Sequence, residues 1–93
     1  MNVVYSRRAL SQLASVHEHL IERNPSAADK VAVGIRHTIK RLQEMPSLGK
    51  ATDEAGVRVI IEPDHRYRVF YKVDAHDVFV IRILHARQGS GSH

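Results

Sequence analysis

The strand pattern of this chain is clearest in residues 57–86, which read VRVIIEPDHRYRVFYKVDAHDVFVIRILHA. Three runs rich in Val, Ile, Tyr and Phe are separated by the polar segments 63–66 and 74–77. The runs are Val57–Glu62, Tyr67–Val73 and Val78–Ala86. Such runs, bounded by turn-forming residues, are typical of β-strands joined by hairpins. We therefore predict an antiparallel meander whose third strand, apolar on both faces, lies inside the sheet.

Upstream of the meander the hydrophobic period changes from two to about 3.6, the period of an amphipathic helix. Apolar residues recur at this spacing from Arg7 to Arg23 and again from Pro25 to Glu44. Ser6 is suited to cap the first helix, and Asn24 the second, because Pro25 is favoured at a first helical position. A short β-prone run, Val3–Tyr5, precedes the first helix. The sequence thus predicts a strand followed by a helical hairpin.

The combined order is β-α-α-β-β-β, which predicts an α+β fold. We expect the helical hairpin to pack on one face of a mainly antiparallel sheet and to leave the other face for solvent or a partner. The segment between the second helix and the meander, which ends at Gly56, is polar and is predicted to be a surface loop. Residues 1–88 are expected to form one domain, and Gly89–His93 resemble a linker entering a purification tag.

The composition limits the possible functions. The chain has 93 residues, of which 43% are hydrophobic and 26% charged, and it contains no apolar run of membrane-spanning length. No secretory signal is visible at its N-terminus, so we expect a cytoplasmic protein without a membrane partner. The absence of cysteine excludes disulfides and thiol nucleophiles. A net charge of +4 favours a polyanionic or acidic partner.

The histidines and serines of the chain do not form recognisable catalytic or metal-binding motifs. His17 and His19 lie two positions apart on a helix and so point in different directions, and no His-x-x-x-His pair is present. A Gly-x-Ser-x-Gly motif and a glycine-rich phosphate loop are also missing. We therefore expect neither a metal site nor a cofactor.

A group of arginine, tyrosine and histidine residues in the C-terminal half is the remaining candidate site. Its members are Arg58, Arg66, Tyr67, Arg68, Tyr71, Arg82, His85 and Arg87. Antiparallel pairing can bring distant residues to one face, where arginines could clamp phosphate and a tyrosine could stack on a base. The ordinary alternative is a solvated sheet face, since exposed arginine and tyrosine are common on half-buried strands. Arg82 and His85 are distinctive because their strand is otherwise apolar.

The helical hairpin offers a second candidate surface. Its predicted outer face carries His17, Glu18, Arg23, Lys30, Arg36, Lys40 and Arg41. Such a row is usually a solvated polar face. It would also suit an acidic, partly disordered binding segment.

Five segments of the chain together resemble the ParE/RelE superfamily of toxins from type II toxin–antitoxin systems. They are Asn24–Ala28, Leu42–Gly49, Val57–Val59, Tyr67–Tyr71 and Ile83–Arg87. The resemblance extends from Met1 to Gln88, and the long helical hairpin and the ending Leu84–Arg87 are closer to ParE. It implies a toxin that inhibits growth, stabilises a plasmid or chromosome, and is neutralised by a cognate antitoxin. Such an antitoxin is small, with a DNA-binding N-terminal domain and an acidic C-terminal segment.

The resemblance also implies one of two targets. ParE-like members poison DNA gyrase without a known catalytic set, whereas RelE-like members cleave mRNA on the ribosome without a metal. For the RNase alternative, Arg58 and Arg82 match phosphate-binding positions and His85 could act as acid or base. That alternative lacks a tyrosine after the last strand and a lysine-rich stretch before Arg58, where Lys50 stands alone. We therefore expect a gyrase-directed toxin that is not an enzyme.

The resemblance and the residue pattern together give one set of positions expected to bind the target or the antitoxin. These are Arg58, Arg68, Tyr71, Arg82, His85 and Arg87. The sequence leaves open whether any of them binds nucleic acid directly.

Overall fold

A computed structural model describes residues 1–85 of the chain. Their secondary-structure elements follow the predicted α+β order, which is confirmed. In chain order they are β1 (Asn2–Tyr5), α1 (Arg7–Arg23), α2 (Pro25–Glu44), a 3₁₀ helix (Pro46–Leu48), β2 (Lys50–Ala51), β3 (Arg58–Glu62), β4 (Tyr67–Val73) and β5 (Asp77–His85). Both helices have the predicted bounds. The predicted end of the last strand at Ala86, and the tag-like Gly89–His93, lie outside the described residues.

The strands form one five-stranded sheet in the order β1-β5-β4-β3-β2. Strand β1 lies parallel to β5, and the other neighbours are antiparallel. The prediction of a continuous loop up to Gly56 was wrong, because Lys50 and Ala51 pair with Val59 and Arg58 as an edge strand. Two residues are too few to produce an alternating pattern in the sequence.

Capping side chains explain where the helices begin and end. The Ser6 hydroxyl accepts a hydrogen bond from the Ala9 amide at 2.9 Å and donates to the Ile81 carbonyl of β5. Asn24 is the only residue between the helices: its amide donates to the Leu20 carbonyl, and its side chain accepts from the Ala27 amide at 3.2 Å. Both predicted caps are confirmed, and the cap at Ser6 also ties α1 to the sheet.

The main core lies between the helical hairpin and one face of the sheet. Fully buried side chains from both layers meet there: Ile35 and Leu42 from α2, and Val69, Tyr71, Val78, Val80 and Ile83 from β4 and β5. Burying one such aliphatic side chain stabilises the fold by about 1.5–3 kcal/mol. The opposite sheet face keeps accessible apolar side chains, among them Val4, Ile61 and Phe79. We call it the open face.

Candidate functional site on the open face of the sheet

A β-bulge in β5 decides which face Arg82 occupies. In the pairing with β4, Val80 lies opposite Tyr71 but Arg82 lies opposite Phe70, so Ile81 is an additional residue in β5. Val78 and Val80 point into the core, and strict alternation would send residue 82 the same way. The bulge shifts this phase by one residue. Arg82 therefore lies on the open face, and Ile83 returns to the core.

The Arg82 guanidinium is held by two contacts on the open face. Its central carbon lies 4.2 Å from the centre of the Phe70 ring, which is a cation–π contact. Its Nη2 atom donates to the Glu54 carboxylate at 2.8 Å. The Arg82 side chain is 21% exposed and that of Glu54 58% exposed, so the pair is accessible to a partner. A guanidinium in this position can bind a carboxylate or a phosphate.

Glu54 reaches Arg82 from the Thr52–Val57 loop, which is held by its own hydrogen bonds. The Thr52 amide donates to the Val57 carbonyl at 3.0 Å, and the Val57 amide donates to the Glu54 carbonyl at 3.1 Å. The Thr52 hydroxyl also accepts from the Glu54 amide. Gly56 has a φ of +76°, a conformation that glycine adopts without strain. The loop conformation therefore fixes where Glu54 points.

The rest of the open face is apolar with basic side chains between. The register places Val59, Ile61, Phe70, Leu84, Phe79 and Val4 on it, together with Lys50, Arg68 and Lys72. A depression of about 440 Å³ lies beside the Arg82–Glu54 pair. It is lined by Glu54, Lys72, Val73, Asp74, Phe79 and Ile81. Apolar surface with interspersed cations is suited to bind an anionic amphipathic partner.

Arg58 and Tyr71 lie on the helix-covered side of the sheet, where they hold the segment after α2. The buried Tyr71 hydroxyl donates to the Pro46 carbonyl at 2.7 Å and accepts from the Gly49 amide at 2.8 Å. Arg58 Nη1 donates to the Gly49 carbonyl at 2.7 Å. Burial raises the pKa of Tyr71, against the smaller lowering effects of the Gly49 amide and the Arg58 charge. The phenol therefore stays neutral and keeps both hydrogen bonds.

Tyr67 and His85 form another pair on the helix-covered side. Their ring centres lie 5.1 Å apart in an edge-to-face arrangement. Burial, and secondarily the charge of Glu62, raise the pKa of Tyr67. Arg66, with a φ of +62°, lies in the turn between β3 and β4. The predicted group of side chains is thus divided: Arg68 and Arg82 share the open face, while Arg58, Tyr71 and His85 lie on the other side.

Sequence reasoning missed two carboxylates with clear roles. Glu62 is buried at 1% exposure and accepts hydrogen bonds from the Asp64 and His65 amides, so it fixes the turn between β3 and β4. Glu54 was part of a predicted polar loop, and no local pattern indicates its contact with Arg82, 28 positions away. Arg87 lies outside the described residues, so its role stays a prediction.

A shallow cleft of about 560 Å³ lies between α1 and α2. Small side chains on both helices, including Ala14, Ala28 and Ala32, leave this space. His17 and Arg36, both from the predicted outer face, lie at its margin. The lining of the cleft is thus mostly apolar, whereas the charged residues of the predicted outer face suggested a basic surface.

No group of three or more His, Asp or Glu side chains within residues 1–85 could hold a metal ion. No helix in the same range is both long and apolar enough to cross a membrane.

Comparisons with known proteins agree on one type of protein. Residues 3–89 match the family described as "ParE toxin of type II toxin-antitoxin system, parDE". Toxin RelE2 of Caulobacter vibrioides is 31% identical over 85 residues, which cover 90% of this chain and 93% of the relative.

Two solved structures share the fold. The chromosomal ParDE toxin–antitoxin system from P. aeruginosa superposes with a TM-score of 0.81 at 22% identity, and the intact E. coli RelBE toxin–antitoxin complex with 0.66 at 18%. Each match covers 91% of this chain and 95% of the other chain.

Proposed function

The chain belongs to the ParE toxin family of type II toxin–antitoxin systems, and from this membership we propose that it arrests growth by poisoning DNA gyrase. We expect it to act in the cytoplasm, where gyrase works on DNA. In this role the chain acts by binding and needs no catalytic residues or cofactor of its own. Residues 1–88 would constitute the toxin domain.

The separation of Arg58 from Arg82 is the observation that carries this choice of target. An RNase must bring its phosphate-binding and proton-transferring groups to one reacting centre. Here Arg58 binds the Gly49 carbonyl on the helix-covered side, while Arg82 binds Glu54 on the open face. His85 lies on the same side as Arg58 and packs against Tyr67. This distribution favours a binding surface over a ribonuclease centre.

We further propose that a cognate antitoxin neutralises the toxin by binding it through an acidic segment. The net charge of +4 supports an acidic partner. The apolar and basic side chains of the open face support one that is also amphipathic. Similarity to proteins solved as ParDE and RelBE systems agrees with such a partner.

Purified toxin should be incubated with gyrase, ATP and supercoiled plasmid, and the products separated after denaturation of the gyrase. A gyrase poison traps the cleaved intermediate, so linear plasmid should accumulate only when toxin and gyrase are both present. The parallel reaction contains translating ribosomes and a defined mRNA. The similarity to Toxin RelE2 makes this the relevant alternative. Truncated mRNA without linear plasmid would refute the gyrase proposal and favour a ribosome-dependent RNase.

A further inference from the structure

Glu54 is positioned over the open face by the backbone of its loop. The Thr52 hydroxyl donates to the Val57 carbonyl at 2.9 Å and accepts from the Glu54 amide at 3.2 Å. The Glu54 carbonyl accepts from the Val57 amide at 3.1 Å, so the amide and the carbonyl of Glu54 are both fixed within the loop. Because the loop is preorganised, the carboxylate meets Arg82 with a small loss of conformational entropy compared with a free surface side chain.

Arg82 is equally well oriented to receive a carboxylate. The Phe70 ring lies under the guanidinium at 4.2 Å, which leaves the edge of the fork directed away from the ring. The Glu54 carboxylate binds at this edge, with Oε1 2.8 Å from Arg82 Nη2. A carboxylate from another molecule would need the same position, so the two would compete.

We propose that Arg82 is the carboxylate-binding position for an acidic amphipathic peptide segment of a partner protein. The chain's own Glu54 occupies this position until the partner displaces it. Glu54 thus acts as an internal competitor that lowers the affinity of the open face for its partner. The partner's apolar side chains would enter the depression lined by Phe79, Ile81 and Val73 beside the pair.

The open face fits a peptide better than a single nucleic-acid strand. A carboxylate already occupies Arg82, so the chemistry of the site is demonstrated within the chain. The accessible apolar side chains are mostly aliphatic, such as Val4 and Ile61, whereas nucleic-acid strands stack on aromatic rings. One of the two phenylalanines of this face, Phe70, is already covered by Arg82. Aliphatic surface with a displaceable carboxylate favours an amphipathic acidic peptide.

The competition between Glu54 and a partner's carboxylate should change the affinity of the open face only modestly. An exposed ion pair contributes about 0.2–1 kcal/mol, equivalent to about 1.4-fold to fivefold in an equilibrium constant. Glu54 is more than half exposed, so its effect should lie in this range. That the peptide belongs to an antitoxin rests on the proposed function, whereas the exchange of carboxylates at Arg82 does not.

The test compares Glu54→Gln with Asp53→Asn in the full chain. Asp53 is an exposed carboxylate of the same loop, and the ion pair with Arg82 is made by Glu54. Both variants raise the net charge by the same amount. Binding of a short fluorescein-labelled peptide of alternating leucine and glutamate is measured by anisotropy, beside a labelled oligothymidylate. At a physiological ionic strength of about 0.15 M, charge effects beyond about 8 Å are largely screened.

We expect Glu54→Gln to tighten peptide binding about 1.4-fold to fivefold and Asp53→Asn to change it by a clearly smaller factor. Arg82→Gln should weaken binding, and in the Glu54→Gln/Arg82→Gln double variant the gain should disappear. Circular dichroism verifies that each variant folds. Equal effects of the two loop variants would overturn the proposal. So would a Glu54→Gln gain seen only with oligothymidylate. Gyrase is absent from this assay, so a failed gyrase proposal would leave its result intact.

Discussion

Replacing Tyr71 with phenylalanine should loosen the segment between α2 and the sheet. The variant retains the buried ring but loses the hydroxyl, which joins the Pro46 carbonyl to the Gly49 amide. The ring is fully buried, and the hydrogen bond to the Gly49 amide is also buried. Water therefore cannot easily replace the hydroxyl.

The expected cost follows from the two lost partners. A buried amide left without an acceptor costs about 1–3 kcal/mol, and a lost neutral hydrogen bond to a less buried carbonyl about 0.5–1.5 kcal/mol. Their sum is about 1.5–4.5 kcal/mol, a large fraction of the roughly 5–14 kcal/mol typical of a domain this size. At about 4–8 °C for each kcal/mol, the midpoint of thermal unfolding should fall by about 6–36 °C.

Urea unfolding followed by circular dichroism at several temperatures measures this loss. Tyr67→Phe is the matched control, because Tyr67 lies on the same strand and face and is also buried. Within residues 1–85 its hydroxyl makes no comparable pair of backbone hydrogen bonds. We expect the control to cost less than Tyr71→Phe, because it leaves no comparable pair of backbone groups without a partner. If both variants unfold at the same urea concentration, Tyr71 does not hold the Pro46–Gly49 segment as described.

Two further perturbations test the N-cap and the last hairpin. Ser6→Ala should lower the free energy of unfolding in urea by about 1–2 kcal/mol, because α1 loses its cap and its bond to Ile81. The control Ser11→Ala, at an exposed position within α1, should be close to neutral. Equal losses in the two variants would contradict the role of Ser6. The amides of His76 and Asp77 lower the pKa of Asp74 below its usual 3.8. The charged form is therefore favoured by folding, and its contribution, present above pH 3.8, is lost as the pH falls below that value. Asp74→Asn keeps an acceptor in the turn and should make the free energy of unfolding fall less steeply as the pH is lowered through the acidic range. An unchanged pH dependence would disprove this role of Asp74.

The helices were predictable because their signals are local. Apolar spacing gave Arg7–Arg23 and Pro25–Glu44 their bounds, and Ser6 and Asn24 have side chains that cap a helix regardless of the rest of the fold. The strands β3, β4 and β5 were predictable from composition and from the turn residues between them. The sequence also indicated that β5 lies inside the sheet, because its residues are apolar on both faces.

The arrangement of the candidate site was not predictable from those signals. Alternation along β5 would place Arg82 with Val80 in the core, and only the bulge at Ile81 moves it to the open face. Where a bulge occurs depends on the fit of two paired strands rather than on one residue. The contact with Glu54 also depends on tertiary structure, since a loop anchored at Thr52 brings it there. The division of the arginines between two faces is therefore a property of the assembled sheet.

The parallel pairing of β1 with β5 has a consequence for synthesis of the protein. Strand β1 pairs with β5, the last strand of the described residues, and Ser6 and Ile81 join across 75 positions. At about 5–20 residues per second, the residues from β1 to β5 take about 4–16 s to be translated, and β1 has no partner strand until the end of that interval. A product interrupted before Asp77 would lack β5, the strand against which α1 packs. Nascent chains thus present Arg82 on a finished surface only after β5 has been synthesised.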